Sequence, residues 1–170
     1  IKDVASQNNL IMKKGLQDND GDKKDSSNLV GRKILDSEEA LDHFYLNESA
    51  YTIFNKDKIH RPRNPEIYKA PYVLFKKGLD CADYSIRAVY TESDFLYRET
   101  INCIKGSEKD KKTLLNLCGL LNSSLFSYFN LMLGSSTGIE REQIFLEELG
   151  NYPYVYNCLL YTSPSPRDMR

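Results

Sequence analysis

The chain has 170 residues, with 23 Lys and Arg against 24 Asp and Glu, a formal net charge of −1 and 41% hydrophobic residues. That is enough apolar material for one domain with a core, and the balanced charge excludes a protein that is basic as a whole. No run of about 18 apolar residues occurs, so no membrane partner is expected, and the four cysteines lack CxxC or CxxH spacing, which leaves neither a zinc site nor a disulfide framework.

Residues 1–32 read as a polar N-terminal segment, the tail of a preceding region. Within it Gln17–Asn28 (QDNDGDKKDSSN) is an Asp-, Gly- and Ser-rich loop. Aligning Gly21 with the invariant glycine of a calcium loop puts Leu16 at the first ligand position and Ser27 where a bidentate Glu belongs, so a calcium site is excluded. Asp36–Leu46 predicts a short helix: Asp36 caps it, Glu39 takes the capping-box position, and Ala40, Leu41, Phe44 and Tyr45 form one apolar side. Four strands follow over Tyr51–Phe54, Tyr72–Phe75, Tyr84–Tyr90 and Phe95–Ile104, rich in the residues a pleated surface favours, with turns at Lys76–Asp80 and Gly106-Ser107. Alternation in the third strand makes Arg87 project from the face opposite Ile86. Pro62 and Pro65 keep the linker between the first two strands extended.

From Asp110 to Leu133, the apolar residues Leu114, Cys118, Leu121, Leu125, Phe129 and Met132 step by 4, 3, 4, 4 and 3. That spacing predicts one long helix with a broad apolar stripe, Asn122-Ser123-Ser124 as the place for a bend and Gly134 as the stop. Gly134–Gly138 is a polar loop, and an acidic stretch to Leu149 leads into Tyr152-Pro153-Tyr154. The fold expected is α+β, a small irregular, mostly antiparallel sheet packed on one long helix.

Cys158–Asp168 (CLLYTSPSPRD) back-translates, over eleven consecutive codons, into the transposase adapter used to build sequencing libraries. Residues 158–170 are therefore expected to be a translated scar and not native sequence. Setting it aside leaves about 157 residues, 21 basic and 23 acidic for a net charge of −2, and Cys81, Cys103 and Cys118 as free thiols in a reducing cytoplasm. With Ile1 at the start, a fragment of a larger multidomain protein is expected.

The distribution of charge says more than its sum. Lys56–Lys77 holds seven basic residues against Asp57 and Glu66, a local charge of +5, whereas Asp36–Glu48 holds five acidic residues and no basic one. A basic stretch of this kind can face phosphates, although a solvated surface is the commoner explanation of charge alone.

Three segments carry a family resemblance: IHRPRNPEIYKAPYVLFKKGL (Ile59–Leu79), LCGLLNSSLFSYFNLMLGSSTGIEREQ (Leu117–Gln143) and LEELGNYPY (Leu146–Tyr154). In order and spacing, over about Lys33–Tyr154, they resemble the target-recognition region of bacterial adenine-specific DNA methyltransferases of restriction–modification systems, including enzymes fused to an endonuclease. The resemblance implies that residues 33–157 are a partial DNA target-recognition region, with double-stranded DNA as partner. It also implies a methyltransferase domain elsewhere in the same chain that binds S-adenosylmethionine. The (N/D)PP(Y/F) motif of that catalytic domain is not found: neither Asn64-Pro65-Glu66 nor Tyr152-Pro153-Tyr154 matches it, so no catalytic, cofactor or metal residue is nominated. A stand-alone specificity subunit and a protein-interaction domain without a DNA role are the alternatives.

Candidate DNA contacts follow. His60, Arg61 and Arg63 lie in the basic linker and suit phosphates. Lys76 and Lys77 close a strand before Gly78. Arg87 can take a guanine edge, or pair across strands with Asp94 or Glu99. Ser135, Ser136 and Thr137 offer hydroxyls after the long helix, and Asn122 and Ser123 are read as cap or kink residues.

Overall fold

The computed structural model describes residues 1–19, 21–80, 84–135 and 143–154. Residues 158–170, expected to be a scar, the boundary at 157, Cys81, Ser136 and Thr137 lie outside the described residues. In chain order the elements are α1 (Lys2–Gln7), β1 (Ile11–Lys14), β2 (Lys24–Asp25), β3 (Lys33–Leu35), β4 (Leu41–Asp42), β5 (Tyr45–Leu46), β6 (Tyr51–Ile53) and β7 (Lys58–Ile59). They continue with β8 (Tyr72–Lys76), β9 (Ala88–Thr91), β10 (Leu96–Tyr97), β11 (Ile101–Lys105), α2 (Lys111–Leu121), α3 (Ser124–Leu133) and α4 (Leu146–Leu149), with short 3₁₀ turns between.

Strand β8 organises the rest. Its side chains alternate, as the pleat requires. Val73 and Phe75 join Ile104, Ala88 and the helix residues Leu114, Leu117, Cys118 and Leu121 on one side. Tyr72 and Leu74 join Cys103, Val89, Ile34, Leu35, Leu96 and Tyr97 on the other. All four residues from Tyr72 to Phe75 are 0% exposed, so the sheet is covered on both faces. That sheet is antiparallel, in the order β1-β11-β8-β9. The helices cover one face. A smaller sheet, β10-β3-β6, covers the other, with β10 parallel and β6 antiparallel to β3. The N-terminal segment is built into the same body, since β1 forms an edge of the central sheet and Leu16 is fully buried.

The layer beneath the sheet is aromatic. Tyr97 lies edge-on to Tyr68 (5.2 Å) and Tyr72 (5.9 Å), and Phe95 meets Tyr72 (5.9 Å) and Tyr51 (4.9 Å). Burial of such rings needs an outlet for each hydroxyl. The hydroxyls of Tyr68, Tyr72 and Tyr97 donate to the carbonyls of Pro62 (3.0 Å), Ser93 (2.8 Å) and Ile67 (3.1 Å).

The α+β class and the mostly antiparallel pairing agree with the sequence reading, but the single long helix does not. The segment from Asp110 to Leu133 is two helices, α2 and α3, parted at Asn122-Ser123. The Ser123 Oγ accepts the Phe126 N–H (3.2 Å) as the N-cap of α3, and its hydroxyl donates to the Leu120 carbonyl (2.6 Å). This break shifts the phase of the apolar stripe. Leu114, Cys118 and Leu121 are buried, but Leu125 is 47% and Met132 66% exposed, and α3 turns Phe126 and Asn130 inward instead.

Asp36–Leu46 is likewise not a helix. Ser37 caps a 3₁₀ turn, Glu38–Ala40, and β4 and β5 pair across a turn in which Phe44 has φ 57°. The Asp42 carboxylate accepts the His43 N–H (2.7 Å) and the Phe44 N–H reaches the Ala88 carbonyl (3.0 Å), so local polar bonds and an external acceptor displace the helical ladder. Of the predicted strands, Tyr51–Phe54 and Tyr72–Phe75 form nearly as expected. Tyr84–Tyr90 is strand only from Ala88, and Phe95–Ile104 splits into β10 and β11, which belong to different sheets. The Gln17–Asn28 loop contains β2, paired with β7 of the basic linker.

Leu121→Ala should lower stability by about 2–5 kcal/mol, as a cavity in a packed core does. Leu125→Ala, four residues on, should change it by less than ~0.5 kcal/mol. Urea unfolding of both variants checks the phase shift; equal losses would mean that α2 and α3 share one buried stripe.

Candidate nucleic-acid interface

With both sheet faces closed by apolar layers, polar groups collect at the strand ends. Antiparallel pairing brings four of these together at one end. Lys14 of β1 pairs with Asn102 and Lys76 of β8 pairs with Ile101; the Lys76 N–H reaches the carbonyl of Arg87 (3.2 Å) and the Lys77 N–H that of Thr100 (2.8 Å). Thus Lys76, Lys77 and Arg87 share this end, and Lys14, which the sequence reading did not select, joins them.

The basic linker comes to the same end through Gly15. A Cβ on Gly15 would lie 2.2 Å from the Tyr97 carbonyl oxygen, so only glycine passes there. Arg63, half-buried and at φ 65°, donates from Nε to the Gly15 carbonyl (3.3 Å). Arg61 exchanges both backbone hydrogen bonds with Gln17 (3.0 Å each) and leaves its side chain exposed. Among the described residues, neither Arg61 nor Lys77 has an ion pair. His60 sits further along, with Nδ1 3.3 Å from the Asp22 carbonyl.

Arg87 is differently placed. Its guanidinium is held between Asp42 of β4 and Asp80 beyond the turn, not by Asp94 or Glu99. Asp94 instead accepts the Ala70 N–H (2.7 Å). The His43 N–H, and after it the Arg87 guanidinium, hold the Asp42 carboxyl below the usual carboxylate range. The two carboxylates in turn make Arg87 still harder to deprotonate. A hollow of about 280 Å³ beside it is lined by Lys76, Glu38, Glu39 and Asp80. Burial pushes the Glu38 carboxyl up, against the pull of Lys76 and Lys77. Arg87 is therefore answered by Asp42 of the acidic stretch and by Asp80, whereas among the described residues Arg61 and Lys77 have no carboxylate partner.

Ser135 is also committed, since its hydroxyl bonds to the Glu148 carboxylate. Asn122 and Ser123 act structurally: Asn122 accepts the Ala88 N–H (3.0 Å) and donates to the carbonyls of Ala88 (2.8 Å) and Cys118 (2.9 Å). The Asn64 amide oxygen caps the 3₁₀ turn at Pro65–Tyr68 by accepting the Glu66 N–H (3.0 Å). Cys103 and Cys118 are buried free thiols, whose pKa values burial pushes up to about 12 and about 11. Among the described residues no three His, Cys, Asp or Glu side chains gather as a metal site would require, and no helix is long and apolar enough to cross a membrane.

Asp42 lies in the acidic Asp36–Glu48 run, but Arg87 and Asp80 lie outside both charged runs, so the sequence did not indicate their pairing. Periodicity alone did not join them, because Asp42 was assigned to a helix.

Residues 32–154 match the family profile described as the TaqI-like C-terminal specificity domain. No curated protein sequence matches the chain.

A carboxylate whose pKa is lowered on folding adds stability above its unfolded-state value, and loses it as pH falls through the lowered folded-state value. Asp42 should therefore titrate below an ordinary aspartate in a carboxyl NMR titration. In Arg87→Gln its midpoint should rise but stay below the ordinary range, because the His43 N–H, the larger cause, remains. An unchanged midpoint would show that the ion pair is absent in solution.

Proposed function

The chain belongs to the TaqI-like C-terminal specificity domain family, and from that premise we propose that it reads a target sequence in double-stranded DNA for an adenine-specific, S-adenosylmethionine-dependent methyltransferase of a bacterial restriction–modification system. The family match over residues 32–154 carries this reading. The methyltransferase part of the same chain, with or without a fused endonuclease, supplies the catalytic residues and holds S-adenosylmethionine outside residues 1–170, and the enzyme works in the cytoplasm. No residue here is assigned to the cofactor; Asn64 caps a 3₁₀ turn. The exposed apolar side of α3, with Leu125 and Met132, gives the methyltransferase part a surface to seat on.

On this reading the sheet end bearing Lys14, Arg61, Arg63, Lys76 and Lys77 faces the duplex. Arg61 and Lys77, which have no ion pair among the described residues, bind phosphates, and Arg63 fixes the linker against Gly15 while adding its charge. Arg87 reaches a base edge by exchanging one of its two carboxylates for a guanine. Asp42 and Asp80 hold it at the sheet end until then. Ser135 reaches a phosphate only if Glu148 gives way, and Ser136 is a further proposed contact.

Selection from a pool of randomised duplexes should enrich one short sequence. Arg61→Gln and Lys77→Gln should each weaken binding on every duplex and lower the slope of log affinity against log salt by about 0.9. Arg87→Gln should cost roughly 1–3 kcal/mol on the enriched sequence and far less on a scrambled one. Failure of the wild-type chain to enrich any sequence, with the methyltransferase part present or absent, would overturn the reading in favour of a protein-interaction domain.

A further inference from the structure

A second cationic site lies at the opposite end of β8, where none was expected. Arg32 and Lys33, at the start of β3, and Lys69, just before β8, line a cavity of about 350 Å³. Its apolar floor includes Tyr68 and Phe95, 1% and 3% exposed. These rings belong to the interlocked aromatic layer, so the floor is rigid. The Lys33 ammonium stands 5.8 Å over the Tyr51 ring, next in that layer.

The charge balance at this cavity differs from that around Arg87. Among the described residues Arg32 and Lys33 have no ion pair, and both are exposed. The one carboxylate lining the cavity, Asp94, is engaged with the Ala70 N–H (2.7 Å). Lys69 pairs with Glu66 (2.8 Å), and the Lys105 ammonium bonds to the Lys69 carbonyl, bringing a fourth cation to the rim. The Glu66 carboxyl is held low first by Lys69, then by Lys105 and Arg32, so these three cations act on one point in space. Four cations thus face two carboxylates, and each carboxylate already has a partner.

A guanidinium fork beside ammonium groups fits the oxygens of a phosphate, and the apolar floor accepts the sugar that follows it. The cavity is at the small end of ligand pockets, the size for one such group. We infer that the cavity between Arg32, Lys33 and Lys69 is a phosphate-binding site. Its macromolecular source, on the DNA-recognition reading, is the backbone of the bound duplex beyond the stretch contacted at the Lys77 end. A free nucleotide carries the same chemistry.

The test uses the full chain, isotopically labelled, with the backbone amides of Arg32, Lys33, Lys69 and Leu96 as reporters. The probes are a 20-base-pair duplex, deoxyadenosine monophosphate and inorganic phosphate. Arg32→Gln/Lys33→Gln, at exposed positions, should leave the fold intact, as the other amide shifts will show. If DNA is the source, the duplex moves the reporters and the double variant lowers the salt slope by roughly 1.8, about 0.9 for each lost contact. Movement by the nucleotide or phosphate but not by the duplex keeps the site and assigns it to a free ligand. If the wild-type chain also fails to bind any duplex, only the DNA reading falls. No reporter movement with any probe, or movement equal in the double variant, overturns the site.

Discussion

Exclusion of water from both faces of β8 is the constraint on which the rest depends. Tyr72, Val73, Leu74 and Phe75 are four consecutive side chains without exposure. Alternation sends two to each side, so two apolar layers must exist, and a chain of this length has to build both. Helices supply one. The other comes from two- and three-residue strands and interlocked aromatic rings, among which the Tyr68, Tyr72 and Tyr97 hydroxyls find backbone carbonyls. Charged side chains have no place on the faces of β8, and they accumulate where it ends. The Lys14–Lys77–Arg87 end and the Lys69–Lys105 end are two consequences of one closed sheet.

The two ends differ in what their cations already hold. Carboxylates from the β4–β5 ribbon and from the turn after β8 engage Arg87, and Glu38 and Glu39 stand beside Lys76. Ion pairs between Arg87 at 26% exposure and carboxylates at 57% (Asp42) and 28% (Asp80) stabilise little by themselves, but they fix direction, and a fixed guanidinium needs less ordering when a base replaces a carboxylate. Among the described residues Arg61, Lys77, Arg32 and Lys33 have no such partner to exchange. A division follows between cations that attract any phosphate and one cation whose use depends on the group offered to it.

Much of the fold was legible where one physical signal dominated. Dense β-branched and aromatic runs at Tyr51 and Tyr72 gave strands, and the apolar steps from Leu114 to Leu121 gave a buried helix face. The signal failed where two forces competed. Leu125 and Met132 keep the spacing of the stripe, but Ser123 captures the Phe126 N–H and restarts the helix in a new phase. Ala40, Leu41, Phe44 and Tyr45 keep a helical spacing too, yet Asp42 bonds its neighbour and Phe44 and Tyr45 are each 63% exposed. Of the candidate site, the basic linker and the Lys76-Lys77 pair were visible as charge. Lys14, Asp42, Asp80 and the Arg32–Lys33–Lys69 cavity required the pairing of distant segments, which periodicity does not carry.

The helix break also has a role beyond interruption. Asn122, at the junction, satisfies both the N–H and the carbonyl of Ala88, the first residue of β9 and the neighbour of Arg87. Its amide oxygen also meets His43 Nδ1 (2.9 Å), and His43 follows Asp42. One side chain therefore joins the end of α2, the start of β9 and the turn that carries a carboxylate partner of Arg87. A continuous helix would keep its backbone ladder through this point, with no reason to hold an asparagine against β9. Breaking it turns Leu125 and Met132 outward and anchors the strand that presents Arg87. The exposed side of α3 and the setting of Arg87 are thus linked through the backbone of Ala88, and a partner seated on α3 would press on the residue nearest the proposed base contact.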